Sequence, residues 1–334
     1  MKLASVIIVN WNGLQWLKIC LPSILNQSYK NIEVIVVDNA STDGSVAWIK
    51  RAYKKVRVVI NPKNYGFSHA NNIGFSQAKG EYVIFLNNDT RVEKSYVSEM
   101  VKTLDSQSDI GGVQSKILLM ESPDTHDTVG AFLTPTGFLY HYGFGDKNTA
   151  KYDVHCDLYT AKGASMGFKR IVLDQIVIDG NLFDPDYFAY FEESDVCHRV
   201  LLTGYRIVYA YSSVAYHKMG ATSTKIQQDI IQYHSFKNRI RTYLKNFSFR
   251  TNILILPIHI SLCFAYVGLC MVRRRFSLAW AIIRAMHWNV IHFQSTFRLH
   301  RIIRRNVRKI TDEIYLKRVM RYPKISYYFS LSKQ

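Results

Sequence analysis

Acidic residues nearly vanish from the end of this sequence. From Lys237 to Gln334 only Asp312 and Glu313 stand against 20 Lys and Arg, whereas the first 236 residues hold 23 of each sign. The net charge of +18 therefore belongs to the last 98 residues, which excludes a uniformly basic nucleic-acid coat protein. Cysteine is scarce as well. Cys20, Cys156, Cys197, Cys263 and Cys270 are odd in number, scattered and without a Cys-x-x-Cys pair. That pattern excludes a disulfide framework or zinc site and points to reduced, buried thiols in the cytosol. Gly-x-Gly-x-x-Gly and Gly-x-x-x-x-Gly-Lys-[Ser/Thr] are both missing, so neither a dinucleotide fingerprint nor a P-loop is present. The first apolar run, Val6–Val9, stops at Asn10 and is too short for the core of a secretory leader. The neutral part is therefore expected in the cytosol. What is plentiful excludes disorder: 48% apolar and 13% aromatic residues are enough for a large core. A length of 334 residues suits one large domain or a domain with an appendage.

The first 110 residues alternate strand and helix patterns. Strands are expected at Ser5–Val9, Ile32–Val37, Val56–Ile60 and Tyr82–Leu86. Helices are expected from Leu14 towards Asn26, from Asp43 through Tyr53 and at Phe67–Ala78. Short continuous apolar strands spaced by helices imply βαβ units and a parallel sheet buried on both faces. Ligands of such sheets bind beyond the carboxyl ends of the strands, where Asn10, Asp38, Asn61 and Asp89 fall. Residues 110–225 are less regular. They predict a strand over Gly111–Leu119, long loops over 120–155, a small-residue segment at Gly163–Gly167, a helix over Asp186–Thr203 and a strand over Tyr205–Tyr209.

Three groups of residues carry chemistry. Asp38, before Asn39-Ala40-Ser41-Thr42-Asp43-Gly44-Ser45, can accept hydrogen bonds from a nucleotide or serve only as a strand-end cap. Asp89, in Asn87-Asn88-Asp89-Thr90, can hold a hard divalent cation that bridges diphosphate oxygens, or be a turn residue. In Tyr190-Phe191-Glu192-Glu193-Ser194-Asp195-Val196-Cys197-His198-Arg199 a helix puts Glu192 and Asp195 on one face and makes Asp195 and Arg199 an i,i+4 pair. A carboxylate cluster beside Tyr187, Phe188, Tyr190 and Phe191 can raise one pKa into the range a general base needs. His217 reads as a core histidine or as a ligand.

The segments at 5–13 (SVIIVNWNG), 36–45 (VVDNASTDGS), 64–74 (NYGFSHANNIG), 80–90 (GEYVIFLNNDT), 188–199 (FAYFEESDVCHR) and 215–222 (AYHKMGAT) follow in an order that resembles the inverting glycosyltransferases of family two. The bacterial rhamnosyltransferase-like branch is the most similar. The resemblance spans about residues 5–245. It implies an α/β fold of GT-A type, Rossmann-like, with a mostly parallel sheet flanked by helices and a C-terminal helical extension. The expected division is a catalytic domain at 1–235, with a nucleotide-binding half at 1–110 and an acceptor half at 111–235, then a basic, apolar region at 236–334. The implied donor is a nucleotide sugar, dTDP-rhamnose favoured or a UDP-sugar, with Mg²⁺ or Mn²⁺ as cofactor. Asn10, Asn12, Asp38, Asn39, Asn64, Gly66, Asn71, Asn88 and Arg199 are the implied donor-binding residues, and Asp89 and His217 the metal ligands. Glu193 matches the family's catalytic base, with Asp195 as the alternative base and Glu192 beside them. A membrane-bound nucleotide-sugar-binding scaffold without catalysis is the competing function.

In the basic region, 252–272 is long enough to span a membrane. Lys245 and Arg250 precede it, however, and Arg273-Arg274-Arg275 follow it, and both flanks favour the cytoplasmic side. A monotopic or re-entrant attachment is therefore preferred to a spanning hairpin or a soluble helical domain. Basic side chains would meet anionic lipid on the inner face of the bacterial inner membrane. This fits a polyprenyl-diphosphate-linked glycan as acceptor in surface-polysaccharide synthesis. A nucleic-acid arm is disfavoured, because the basic tracts lack interleaved stacking aromatics.

Overall fold

A computed structural model describes residues 1–220, 227–324 and 327. The first part runs β1 (Ala4–Asn10), α1 (Leu14–Leu25), β2 (Ile32–Asp38), α2 (Ser45–Ala52), β3 (Arg57–Ile60), α3 (Gly66–Gln77), β4 (Tyr82–Asn87), β5 (Thr90–Val92) and α4 (Tyr96–Asp105). The second runs β6 (Ile110–Leu119), β7 (His126–Thr128), β8 (Gly130–Leu133), β9 (Leu139–Tyr142), β10 (Ser165–Lys169), α5 (Arg170–Leu173), α6 (Glu192–Leu202) and β11 (Arg206–His217). Then come α7 (Gln228–Asn246), α8 (Phe249–Val272), α9 (Phe276–Ile291), α10 (Phe293–Ile302), a π-helical turn at Ile303–Val307, and α11 (Asp312–Val319).

The main sheet has the order β3-β2-β1-β4-β10-β6-β11-β5, with β7 added to β6. Strands β1 to β4 are mutually parallel, as their apolar runs predict. Alternate side chains enter two separate cores. Val6, Ile8, Val34, Val36, Ile84 and Leu86 pack towards α1, while Ile7, Ile35, Val37, Val83 and Phe85 face the other layer.

Four expectations change. β10 inserts antiparallel between β4 and β6, so the sheet is mixed at its centre. The stretch 120–155, expected as loop, contains β7 and the β8–β9 hairpin. β11 runs to His217 instead of ending at Tyr209, with its register broken between Ala210 and Val214. The helix expected over Asp186–Thr203 begins only at Glu192, because Tyr190 and Phe191 take φ of 70° and 71°. That left-handed geometry is incompatible with a continuous helix.

The charge boundary at Ser235–Phe236 falls inside α7. Lys237, Arg241 and Lys245 are buried against the preceding part of the chain. Arg241 pairs with Asp184 at 2.9 Å and Asp186 at 2.6 Å, and Lys245 pairs with Asp184 at 2.5 Å and Asp195 at 3.0 Å. Arg241 and Lys245, two of the first four cations of the basic region, therefore face protein carboxylates, not lipid. α8 buries Ile255, His259, Cys263 and Cys270 and leaves Phe249, Ile253, Leu254, Ile258, Phe264, Met271 and Val272 exposed.

Candidate active site

The carboxyl ends of β1, β2 and β4 meet in one polar network. Asn10 Nδ2 donates to Asp38 Oδ2 at 2.8 Å, Ser41 N donates to Asp38 Oδ1 at 2.8 Å, and Asn88 Nδ2 donates to Asn10 Oδ1 at 2.8 Å. Asn12 Oδ1 receives Thr42 N at 2.8 Å. Asn39 Nδ2 donates to Gly66 O at 3.1 Å, Asn64 Oδ1 receives Gly66 N at 2.9 Å, and Asn71 Nδ2 donates to Phe67 O at 3.0 Å. Asp38 is buried, with both oxygens engaged by protein donors. It organises the loop between β2 and α2, and its remaining lone pairs are what it can offer a ligand. Gly13 is required here: a Cβ would lie 2.1 Å from Asn88 Nδ2. At Gly66, φ is +83° and a Cβ would lie 2.3 Å from Phe188 O, so the turn before α3 admits only glycine.

Strand pairing brings the second group together. β11 pairs antiparallel with β5 so that His217 faces Thr90, which sets Asp89 Oδ1 3.4 Å from His217 Nε2. β7 pairs with β6 and delivers Asp127, whose Oδ2 accepts His217 Nδ1–H at 2.7 Å. Lys162 Nζ donates to both Asp127 oxygens, at 2.6 and 2.8 Å. Burial alone would raise the Asp127 pKa, but the His217 hydrogen bond and the Lys162 charge bring it down to about 2. Burial likewise opposes charge on His217, yet Asp127 and then Asp89 hold its pKa above the ordinary imidazole value. The site thus demands positive charge at Nε2. Asp89 Oδ1 is buried without a hydrogen-bond partner. An orphaned carboxylate oxygen beside an imidazole nitrogen whose other nitrogen is anchored by a carboxylate fits a divalent cation. Among the described residues no three His, Cys, Asp or Glu side chains converge on one point. That suits a cation completed by phosphate oxygens.

The third group opens α6. Glu192 and Glu193 lie in its first turn, after the left-handed Tyr190 and Phe191. Asn238 of α7 holds that turn, donating to Ala189 O at 3.0 Å and Tyr190 O at 2.6 Å. Glu192 is buried, and burial together with the neighbouring Glu193 charge pushes its pKa well above the carboxylate range. Glu193 is partly exposed. Burial within the cleft raises it to about 7, against the helix amide and the Lys162 charge, which lower it. It borders Gly163, where a Cβ would sit 3.8 Å from its own. Glu193 therefore borders the Lys162 end of the Lys162–Asp127–His217–Asp89 chain.

Asp195 and Arg199 lie elsewhere. Asp195 is completely buried; Arg199 reaches Oδ2 at 3.0 Å, Lys245 reaches Oδ2 at 3.0 Å and Asn246 reaches Oδ1 at 2.8 Å. Burial pushes its pKa up, but Lys245 and Arg199 hold it below the usual range. A carboxylate so paired joins α6 to α7 and has no free edge for a substrate proton. Arg199, expected at the donor, is buried and donates to the Ile176 and Leu182 carbonyls and to Asp195. Of the AYHKMGAT segment, Ala221 and Thr222 lie outside the described residues. Asp127, Lys162 and Asn238 were not foreseen, since each sits in a segment without a motif and is brought in by strand or helix pairing.

Comparison with known proteins now bears on this geometry. Residues 5–166 match the family model Glycosyl transferase family 2. Over 256 residues, 70% of this chain and 74% of the relative, the chain is 25% identical to an uncharacterised glycosyltransferase of Haemophilus influenzae. A stretch of 109 residues is 37% identical to the glycosyltransferase GlyA of Streptococcus pneumoniae, covering 32% of this chain and 16% of GlyA. The chain spans 16%, 25% and 37% of the lengths of three of the curated relatives it matches. Among solved structures it is similar to the mannosyltransferase PcManGT of Pyrobaculum calidifontis in complex with GDP-Man and Mn²⁺, with a TM-score of 0.52 and 19% identity over 86% of this chain and 87% of that one. GalNAc-T7 with UDP, GalNAc and Mn²⁺ gives a TM-score of 0.57 at 16% identity, covering 73% and 48%. At these identities the likeness is one of fold. Residues 5–166 are thus similar to the glycosyl transferase family 2, and the fold is of GT-A type.

Proposed function

We propose that the protein is an inverting glycosyltransferase that moves a sugar from a nucleoside-diphosphate donor to a hydroxyl of a glycan or lipid-linked glycan. The observation that carries this reading is Glu193: partly exposed, its pKa raised to about 7, on a braced turn bordering the Lys162–Asp127–His217–Asp89 chain. Glu193 takes the proton of the acceptor hydroxyl as that oxygen attacks the anomeric carbon from the face opposite the leaving diphosphate. One displacement inverts the configuration, with no covalent intermediate. General-base action of this kind is worth roughly 10²–10⁴ in rate. Asp195 is not the base, because its oxygens are already committed to Arg199, Lys245 and Asn246. Asn10, Asp38, Asn39, Asn64, Gly66, Asn71 and Asn88 shape the donor pocket, and Lys162 brings positive charge beside the leaving group. Asp89 and His217 would hold Mg²⁺ or Mn²⁺, which supplies neutralisation of the charge developing on the diphosphate. The Mn²⁺-bound complexes of the structural neighbours support this. Rhamnose from dTDP-rhamnose is the favoured sugar on the sequence resemblance, ahead of a UDP-sugar.

The apolar faces of α8 and α9 and the adjoining Arg273-Arg274-Arg275 attach the protein to the inner face of the bacterial membrane, where polyprenyl-diphosphate-linked glycans are built. Replacing Glu193 by Gln tests the chemistry. Sugar transfer is expected to fall at least a hundredfold, while donor-induced thermal stabilisation persists. Transfer at the parent rate would refute the assignment.

A further inference from the structure

α7 carries four basic side chains, and three of them are satisfied. Lys237 donates to Asp186 O at 2.6 Å, and Arg241 and Lys245 pair with Asp184, Asp186 and Asp195. Arg239 points to another side of the helix. Its guanidinium carbon lies 4.9 Å from the centre of the Phe138 ring, 5.2 Å from Phe191 and 5.6 Å from Phe236. Its Nε is buried without a hydrogen-bond partner, and among the described residues no carboxylate pairs with it. The residue as a whole is half-buried. Cation–π contacts offset only part of the loss of water around a guanidinium. What is missing is an anion.

The position says which molecule would bring that anion. Phe191 immediately precedes Glu192 and Glu193, and Phe236 stacks on Tyr266 of α8, with ring centres 6.3 Å apart. Arg239 therefore stands between the proposed base and the apolar helix. The charges there are mostly positive: Lys162 and Arg239 both act on His141, opposed by Asp127.

Resting on the glycosyltransferase reading, we propose that Arg239 binds a phosphoryl group of the acceptor. The acceptor's sugar hydroxyl would reach Glu193 and its apolar chain would lie along α8. A guanidinium presents two parallel N–H groups to a pair of phosphate oxygens, and the unpartnered Nε is one of them. The ligand class is a phosphate or diphosphate ester carrying a hydrocarbon chain.

Direct binding tests this without turnover. With the donor site filled by UDP and Mn²⁺, farnesyl diphosphate, inorganic pyrophosphate and farnesol are titrated into wild-type protein, Arg239→Lys and Arg239→Met. The expected result is that Arg239→Met weakens farnesyl diphosphate at least tenfold and Arg239→Lys weakens it less, while farnesol and UDP bind as in wild type. Pyrophosphate binding as tightly as farnesyl diphosphate would support the anion site and identify a free anion, not a lipid, as its ligand. Equal affinity of wild type and Arg239→Met for farnesyl diphosphate would overturn the proposal. So would an equal loss for farnesol, which marks a packing role. Should Arg239→Met fail to fold, the wild-type protein decides: farnesyl diphosphate that is displaced by UDP occupies the donor site and overturns the proposal, whereas binding alongside UDP supports it. The Glu193→Gln transfer assay reports separately on the glycosyltransferase reading.

Discussion

At the residue scale, Glu193 combines a chemical advantage with a structural cost. In the unfolded chain such a carboxyl ionises near 4.5, and in the fold near 7 because burial disfavours the charge. Between those values the native state holds more protons than the unfolded chain. Stability is therefore lost as pH rises through the window, and the loss is complete above about 7. Glu193→Gln removes that loss. The variant is expected to exceed the parent in stability at pH 8 by on the order of 1–3 kcal/mol and to match it at pH 4, as measured by urea unfolding. The parent's activity should rise with pH through the same interval as the base loses its proton. Identical unfolding curves at pH 8 would show that the carboxyl is not raised. Asp195, two positions along, was readable as an alternative base from spacing alone. Only its ion pairs with Arg199 and Lys245 show that its charge is consumed in joining two helices.

At the element scale, the turn before α6 positions Glu193, the proposed base. Two successive non-glycine residues at positive φ store strain of about 1–3 kcal/mol each, and they persist because α7 braces them through Asn238. Replacing Asn238 by Ala deletes both bracing hydrogen bonds. It should cost about 1–3 kcal/mol of stability. Because small displacements of a catalytic group are expensive, it should also lower kcat by about tenfold or more with donor affinity unchanged. A variant that loses stability but keeps kcat would reduce Asn238 to a packing role. The neighbouring hairpin and β7 illustrate why 120–155 was hard to read. Short strands rich in Gly, Thr and Tyr have no periodicity long enough to separate them from loops. They form because β6 offers β7 an open edge, and with β7 comes Asp127.

At the scale of the whole molecule, the basic region is divided between two environments. Its first helix belongs to the catalytic core, and its end returns to it. Tyr315 Oη lies 2.7 Å from His198 Nε2, and Met320 bridges to Leu133. Between these anchors, α8 and α9 keep an apolar surface. α8 is the one helix among the described residues long and apolar enough to cross a membrane. Deleting residues 251–334 would uncover the core. The sharper test replaces Leu254 and Phe264, which are 64% and 59% exposed, by Glu. Stability is expected to stay within about 0.5 kcal/mol, while sedimentation with phosphatidylglycerol vesicles drops severalfold. Unchanged sedimentation would remove α8 from the membrane contact.

The parallel strands were legible because each is a short run of residues apolar on both faces, and such a run is stable only between two layers of helix. The polar strand ends, and hence Asn10, Asp38 and Asp89, were legible for the same reason, since the polar residues begin where the buried run stops. The separation of charge was equally plain. What the sequence could not determine is which charges meet. Whether Asp195 titrates or pairs, and whether Arg199 faces a donor or a carbonyl, depend on contacts between residues far apart in the chain. So do the alignment of Asp127 behind His217 and, among the described residues, the lack of a carboxylate for Arg239. Packing decides these pairings, because an electrostatic interaction depends on distance and desolvation, and neither is encoded by spacing along the chain.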